Sequence, residues 1–328
     1  MTIKSRLAAV LVSGFVFSTV AVAPAATKAA EVKVTPLGSH AGEFCKFDRA
    51  MVFEDPDGTR ILYDAGRTVA GADDPRLGVI HAVLVSHMHG DHVGDKHIAS
   101  PGAGDCGNPD FSMKAVPNTN TVNIALAKDA KIVTGSEMPK FFANKLKALD
   151  GNPKNSQLVR FGASRMVGGV KITTVPAVHS NGINGAMIDG ELGTLLNAAG
   201  LTAYAGPPTG YVLTFSNGLV AYLSGDTGVT AEQETVVRRQ YNARLVVMNI
   251  GDTFTTGPTE AAYVINQLVR PASVIPSHAN EVATKGGAVV AGTRTEAFRD
   301  AVSDVGVHLP LSGQTMSFNS GGICVAGC

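Results

Sequence analysis

Short apolar runs recur along the chain at residues 60–63, 79–85, 170–175, 219–223, 245–250 and 274–275. They are rich in Val, Ile and Leu and bounded by Gly, Pro, Asp or Ser, the pattern of buried strands. Between them, residues 137–149 and 258–269 carry apolar side chains at helical spacing. The second opens on Pro258, suited to a first helical position, with Glu260 near the positive end of the helix dipole. The alternation predicts sheets covered by helices. Residues 102–120 and 181–208 are rich in Gly, Asn, Pro and small residues with no sustained period, and are expected to be long irregular loops. Such loops in a compact domain more often form lids or substrate walls than linkers. No internal repeat is visible.

The N-terminus has a different character. Lys4 and Arg6 precede an apolar run over residues 7–23, followed by Ala23-Pro24-Ala25. A basic start, a short apolar stretch and small residues at a cleavage point are the marks of a secretory signal. The run is short for a membrane span and is interrupted by Ser13, Gly14, Ser18 and Thr19. Residues 1–30 are therefore expected to be a signal peptide, with a mature chain starting between Ala26 and Glu31 and no stable membrane insertion after cleavage. Residues 31–328 then form one domain, periplasmic or secreted.

Composition narrows the function classes. Of 328 residues, 45% are hydrophobic, enough for a large core, and 37 glycines with 16 prolines suit a loop-rich layered enzyme better than a helical bundle. Lys+Arg and Asp+Glu both total 27, so no basic field invites nucleic acid and a small-molecule substrate is expected. Oligomeric state is not encoded in any visible pattern. In an oxidising compartment the four cysteines can pair. Cys324 and Cys328 are close enough to close a terminal loop, leaving Cys45 with Cys106, one of three connectivities.

The densest chemistry lies in Val83-Leu84-Val85-Ser86-His87-Met88-His89-Gly90-Asp91-His92, an apolar strand ending in three histidines and a carboxylate. His87 and His89 can face one way while Asp91 and His92, past the turn, face another, so two adjacent metal positions are reasonable. The same strand-then-ligand arrangement recurs at Val178-His179, Gly225-Asp226 and Ser277-His278. Ligand sites in α/β sheets gather outside the carboxyl ends of strands, so these four segments should converge on one cleft.

The His87-Met88-His89-Gly90-Asp91-His92 motif with His179, Asp226 and His278 resembles the metallo-β-lactamase-fold hydrolases. Ser224-Gly225-Asp226-Thr227-Gly228, Ile250-Gly251-Asp252-Thr253-Phe254, Thr256-Gly257-Pro258 and Ile275-Pro276-Ser277-His278 are similar to a group of metal-dependent hydrolases related to ascorbate-phosphate lactonases. The resemblance implies an α/β, four-layer αββα sandwich and two divalent metal ions, zinc by default with Mn2+ or Fe2+ as alternatives. It implies one metal on His87, His89 and His179, another on Asp91, His92 and His278, and Asp226 bridging both. A metal-bridging hydroxide oriented by Asp91 would then attack an ester or lactone. Zinc β-lactamases lack the bridging aspartate and the diiron oxygen-reducing branch has glutamate in place of His89, so both fit less well.

Phosphodiesterase, β-lactamase and non-catalytic metal-binding readings stay as rivals. A phosphodiesterase calls for cationic residues lining the cleft, and no basic cluster adjoins the ligand loops in sequence. Among the other histidines, His81, His97 and His308 read as ordinary structural or surface residues. His40, in Gly38-Ser39-His40, falls where related hydrolases place a loop beside the metals, a lesser candidate for a supporting role. Asp64 resembles a recurring aspartate that supports the metal-binding loop, with a plain turn residue as the equal alternative. Asp252 and Thr253 follow the run 245–250 and could face the cleft, but read better as turn or capping residues before Pro258. Tyr204 and Tyr211 could offer a phenol to a leaving group, although aromatic residues beside Gly/Pro turns more often pack.

Overall fold

The computed structural model describes residues 1–2 and 30–328, so the expected signal segment falls largely outside the described residues. Two mixed sheets face each other. The first, in spatial order, comprises Ser156–Leu158, Lys131–Thr134, Ala82–Leu84, Arg60–Tyr63, Met51–Glu54, Val32–Pro36, Met316–Phe318 and Cys324–Ala326. The second comprises Ser164–Val167, Val170–Pro176, Thr209–Thr214, Val220–Leu223, Leu245–Asn249, Ser273–Ser277 and Gly306–Val307.

Each sheet has a parallel section. Arg60–Tyr63, Ala82–Leu84 and Lys131–Thr134 run parallel in the first, and Val220–Leu223, Leu245–Asn249 and Ser273–Ser277 in the second. Parallel neighbours need crossovers, which helices Asn120–Ala127 and Pro258–Tyr263 provide. The carboxyl ends of parallel strands therefore gather on one side of each sheet.

Three cores define the layers. Val34, Phe53, Ile61, Tyr63 and Leu84 of the first sheet meet Ile172, Tyr211, Leu213, Leu223 and Val247 of the second, all buried, in a sheet-on-sheet core. The outer face of the first sheet packs Val52, Leu62, Val83 and Ile132 against Val122, Ile124, Phe142 and Leu146 of helices Asn120–Ala127 and Met138–Ala148. The second sheet packs Tyr222, Val246, Met248 and Val274 against Ala261, Ile265 and Phe298. The order is helix, sheet, sheet, helix, the αββα sandwich that the motif implies.

Every apolar run singled out in the sequence contains a strand. The helix expected over 137–149 spans Met138–Ala148 between its caps Glu137 and Leu149. The one expected over 258–269 begins as Pro258–Tyr263 and widens into π-helical turns at Val264–Val269. The irregular loops need correction. Residues 181–208 contain a hairpin, Gly182–Asn184 with Thr202–Tyr204, enclosing helix Glu191–Ala199. That helix hides from a periodicity reading because only Gly193 is buried. Residues 102–120 contain the short pair Gly104–Asp105 with Asn108–Pro109. The structure pairs Cys45 with Cys106 and Cys324 with Cys328.

Candidate metal centre

The four ligand-bearing segments leave their strands on the same side and bring all seven side chains expected from the sequence into one cluster. His87, His89 and His179 form one group, Asp91, His92 and His278 another, and His87, His92 and Asp226 a third, each with donor atoms within 4.8 Å of one another. Asp226 Oδ2 lies at the middle. It is 3.1 Å from His278 Nε2, 3.3 Å from His92 Nε2 and 3.8 Å from both His87 Nε2 and His179 Nε2. His89 presents Nδ1 3.4 Å from His179 Nε2, with its Nε2 3.2 Å from Ser180 Oγ.

The ring orientations follow from the partners behind the cluster. Asp64 ends strand Arg60–Tyr63 at φ 42°, left-handed backbone that a non-glycine residue adopts at a cost of about 1–3 kcal/mol. The turn lets its carboxylate accept from Ser86 N, Ser86 Oγ and His92 Nδ1, each at 2.8 Å. Because the Ser86 hydroxyl gives its proton to Asp64, its oxygen accepts from His87 Nδ1 at 3.0 Å. Both Nε2 atoms are therefore turned toward the cluster, where they are buried without a hydrogen-bond partner. Asp64 is thus the supporting residue, not a plain turn aspartate.

The electrostatics carry the same message. Burial pushes the His87 imidazolium well below its ordinary range, helped by neighbouring His92. Burial also lowers His89 and His179. Burial opposes ionisation of Asp226, yet His278 and His92 hold its carboxyl well below the usual range. Asp91 is treated alike: burial raises it, and Arg49 and His92 more than offset that. At His92 burial disfavours the proton, but Asp226, Asp64 and Asp91 prevail and lift it to about 10.

The Nε2 atoms of His87 and His92, buried without hydrogen-bond partners, converge with those of His179 and His278 on one buried carboxylate oxygen of Asp226. Nitrogen and carboxylate oxygen donors in such numbers suit a borderline divalent ion. The residues present therefore fit bound metal.

The Beta-lactamase superfamily domain matches residues 59–279. A metal-dependent hydrolase of Pelotomaculum thermopropionicum is 31% identical over 249 residues, covering 76% of this chain and 85% of the relative. This chain belongs to the beta-lactamase superfamily. Within that superfamily it is a metal-dependent hydrolase; a relative carrying the same description from Koribacter versatilis is 27% identical over 226 residues, 68% of this chain and 77% of the relative. Among solved structures, a metallo hydrolase from Ignicoccus hospitalis superposes with a TM-score of 0.53 at 20% identity, covering 88% of this chain and 98% of that one. An isothiocyanate hydrolase from Delia radicum gut bacteria superposes at 0.51 and 18% identity, over 88% and 99%. At such identities these two show the superfamily fold.

The remaining sequence candidates of this superfamily member fall outside the cluster. His40 bonds Ser39 Oγ and the Gly104 carbonyl, away from the ligands. His97 bonds the Ile98 carbonyl, His81 accepts from Arg60 N and His308 meets Ser273 Oγ. Tyr211 is buried, its hydroxyl 2.7 Å from the Val85 carbonyl and 3.0 Å from that of Val133, so it ties the two sheets together and offers nothing to a leaving group.

Sequence reasoning missed Arg49. It follows Asp48, whose carboxylate accepts from Ser39 N and Cys45 N and shapes the turn. Arg49 is 3% exposed, with Nη2 2.8 Å from Asp91 Oδ2 and 2.9 Å from His278 Nε2. A second correction concerns Arg67, Lys96 and Lys114, which line a cavity of about 380 Å³ beside Gly90 of the motif. Positive charge does adjoin the ligand loop, from Lys96 just past the motif and from Arg67 and Lys114 on either side of it in sequence.

Proposed function

We propose that this metal-dependent hydrolase is an exported enzyme that holds two divalent cations, zinc by default, and cleaves an ester or lactone of a small molecule. The observation that carries the reading is the position of Asp226 Oδ2, within 3.8 Å of four imidazole nitrogens drawn from both sheets. His87, His89 and His179 would hold one cation and Asp91, His92 and His278 the other, with Asp226 common to both. When bound, such a pair lowers the pKa of a shared water to about 7 and polarises the substrate oxygen.

The chain's own residues supply the rest. The Asp91 side chain is 24% exposed, more open than that of Asp226, and is placed to accept a hydrogen bond from the attacking water or hydroxide and orient it. Asp64 and Ser86 keep the lone pairs of His87 and His92 aimed inward. His179 stands between two openings, of about 580 Å³ and 440 Å³, whose walls include Val178, Tyr204 and Phe254, all exposed. The opening of about 580 Å³ has no acidic, lysine or arginine side chain in its walls, so an uncharged substrate with an apolar flank suits it, which favours an ester or lactone.

A phosphodiesterase is the second reading, favoured by Lys96 and Lys114 near Gly90. None of the seven ligands lines that basic cavity, and Arg67 there is already engaged by Asp95 at 2.7 and 2.9 Å, so it ranks below the first. Elemental mass spectrometry, paired with turnover of lactone, phosphodiester and β-lactam probes before and after chelation, decides among these. About two metals per chain with chelator-sensitive lactone turnover supports the proposal; activity in excess chelator would defeat it. N-terminal sequencing of protein collected outside the cytoplasm tests export, with a start between Ala26 and Glu31 expected.

A further inference from the structure

We propose that Arg49 is a tethered cation closing the Asp91–His278 edge of the centre, and that the second metal ion binds only by displacing it, which makes the two metal positions unequal in affinity. This rests on the seven-ligand reading above. A guanidinium only donates hydrogen bonds, so when its Nη2, 2.9 Å away, bonds His278 Nε2, that nitrogen is the acceptor. An imidazole nitrogen has one lone pair. While that lone pair accepts from Arg49, it cannot coordinate a metal.

The same Nη2 lies 2.8 Å from Asp91 Oδ2 and 2.8 Å from Asn280 Oδ1. One guanidinium nitrogen thus satisfies two of the three side chains assigned to the second metal. Asp226 Oδ2 stands 3.1 Å from His278 Nε2, so the guanidinium lies at an edge shared by the carboxylates of Asp91 and Asp226. Its hold is nevertheless partial: Nε and Nη1 are buried and have no partner, so little besides the ligand edge and Asn280 retains it.

The other group differs. Among the described residues, no lysine or arginine forms an ion pair with His87, His89, His179 or Asp226, so a first cation there has no guanidinium or ammonium to displace. A second divalent ion at Asp91, His92 and His278 meets a like charge that must first withdraw. The enzyme would hold one ion permanently and take up the other according to supply.

Cobalt(II) titration of the chelator-stripped protein, read by calorimetry and by electron paramagnetic resonance for spin coupling, tests this in wild type, Arg49→Met and Arg49→Lys. The expectation for wild type is two steps separated by about tenfold or more in affinity, with coupling only after the second. Arg49→Met should tighten the second step by about tenfold or more and leave the first unchanged, whereas Arg49→Lys keeps the charge and most of the gap. Two wild-type steps of equal affinity, or an Arg49→Met second step that is unchanged or weaker, would overturn the role given to Arg49 while leaving the dinuclear reading intact. If Arg49→Met does not fold, the wild-type and Arg49→Lys steps decide alone. Failure of every protein to bind cobalt would defeat the dinuclear reading itself.

Discussion

The Asp64 carboxylate receives the Nδ1 proton of His92 at 2.8 Å, across the start of the ligand loop, and so fixes which nitrogen of that ring faces the centre. Partners of this kind orient metal-binding imidazoles and raise their basicity. Asp64→Asn is accordingly expected to weaken metal binding by about 10–100-fold while leaving the far-ultraviolet circular dichroism unchanged. Competition with a chromophoric chelator measures it, and an unaltered affinity would remove Asp64 from the centre's support.

On the proposed reading Asp226→Ala should lose metal from both positions and with it hydrolysis, because its Oδ2 lies within 3.8 Å of His87 and His179 in one group and of His92 and His278 in the other. His97→Ala, whose ring serves only the Ile98 carbonyl, should keep normal turnover. An active, metal-replete Asp226→Ala protein would refute the shared position.

Stability should depend on pH differently with and without metal. His92 is lifted from an ordinary 6.5 to about 10 in the fold. Its proton therefore stabilises the metal-free protein fully below about pH 6.5, and that contribution is lost as pH rises through about 10. In the loaded protein, on the proposed ligand set, the same nitrogen would bind metal and have no proton to lose. The Tm gap between loaded and chelated protein should thus widen from pH 6.5 to 10; a constant or shrinking gap contradicts the assignment. The depressed Asp91 and Asp226 titrate below this window and do not disturb it.

Tyr211→Phe removes a hydroxyl that links the second sheet to carbonyls of the first. A buried hydrogen bond of this sort is worth about 1–3 kcal/mol when a partner is left unsatisfied. The urea midpoint should fall at constant slope while turnover of the folded protein is kept. Loss of turnover with the midpoint unchanged would mean that the phenol acts in the cleft after all.

The sequence exposed the centre because its ligands sit at the ends of apolar strands, and an apolar strand followed directly by His or Asp is visible without coordinates. The layers were legible for the related reason that Val, Ile and Leu cluster where both faces of a strand are covered. Helix Glu191–Ala199 was hidden because it has almost no buried face to print a period. Arg49 was hidden more deeply. An arginine in a turn ordinarily points to solvent, and nothing near residue 49 announces a histidine 229 positions later. Only the turn built by Asp48, in a segment bonded through Cys45 to Cys106, turns that side chain inward.

The ligands come from two sheets, with His87 to His92 leaving one and His179, Asp226 and His278 the other. An occupied centre would therefore act as a rivet through the sandwich: the sheets could not part until the ions had gone. Unfolding of the loaded protein would inherit the slowness of metal release, and its resistance to proteases would become a property of the ions as much as of the core. Chelation would then turn a long-lived enzyme into a short-lived one before any change in its resting shape could be seen.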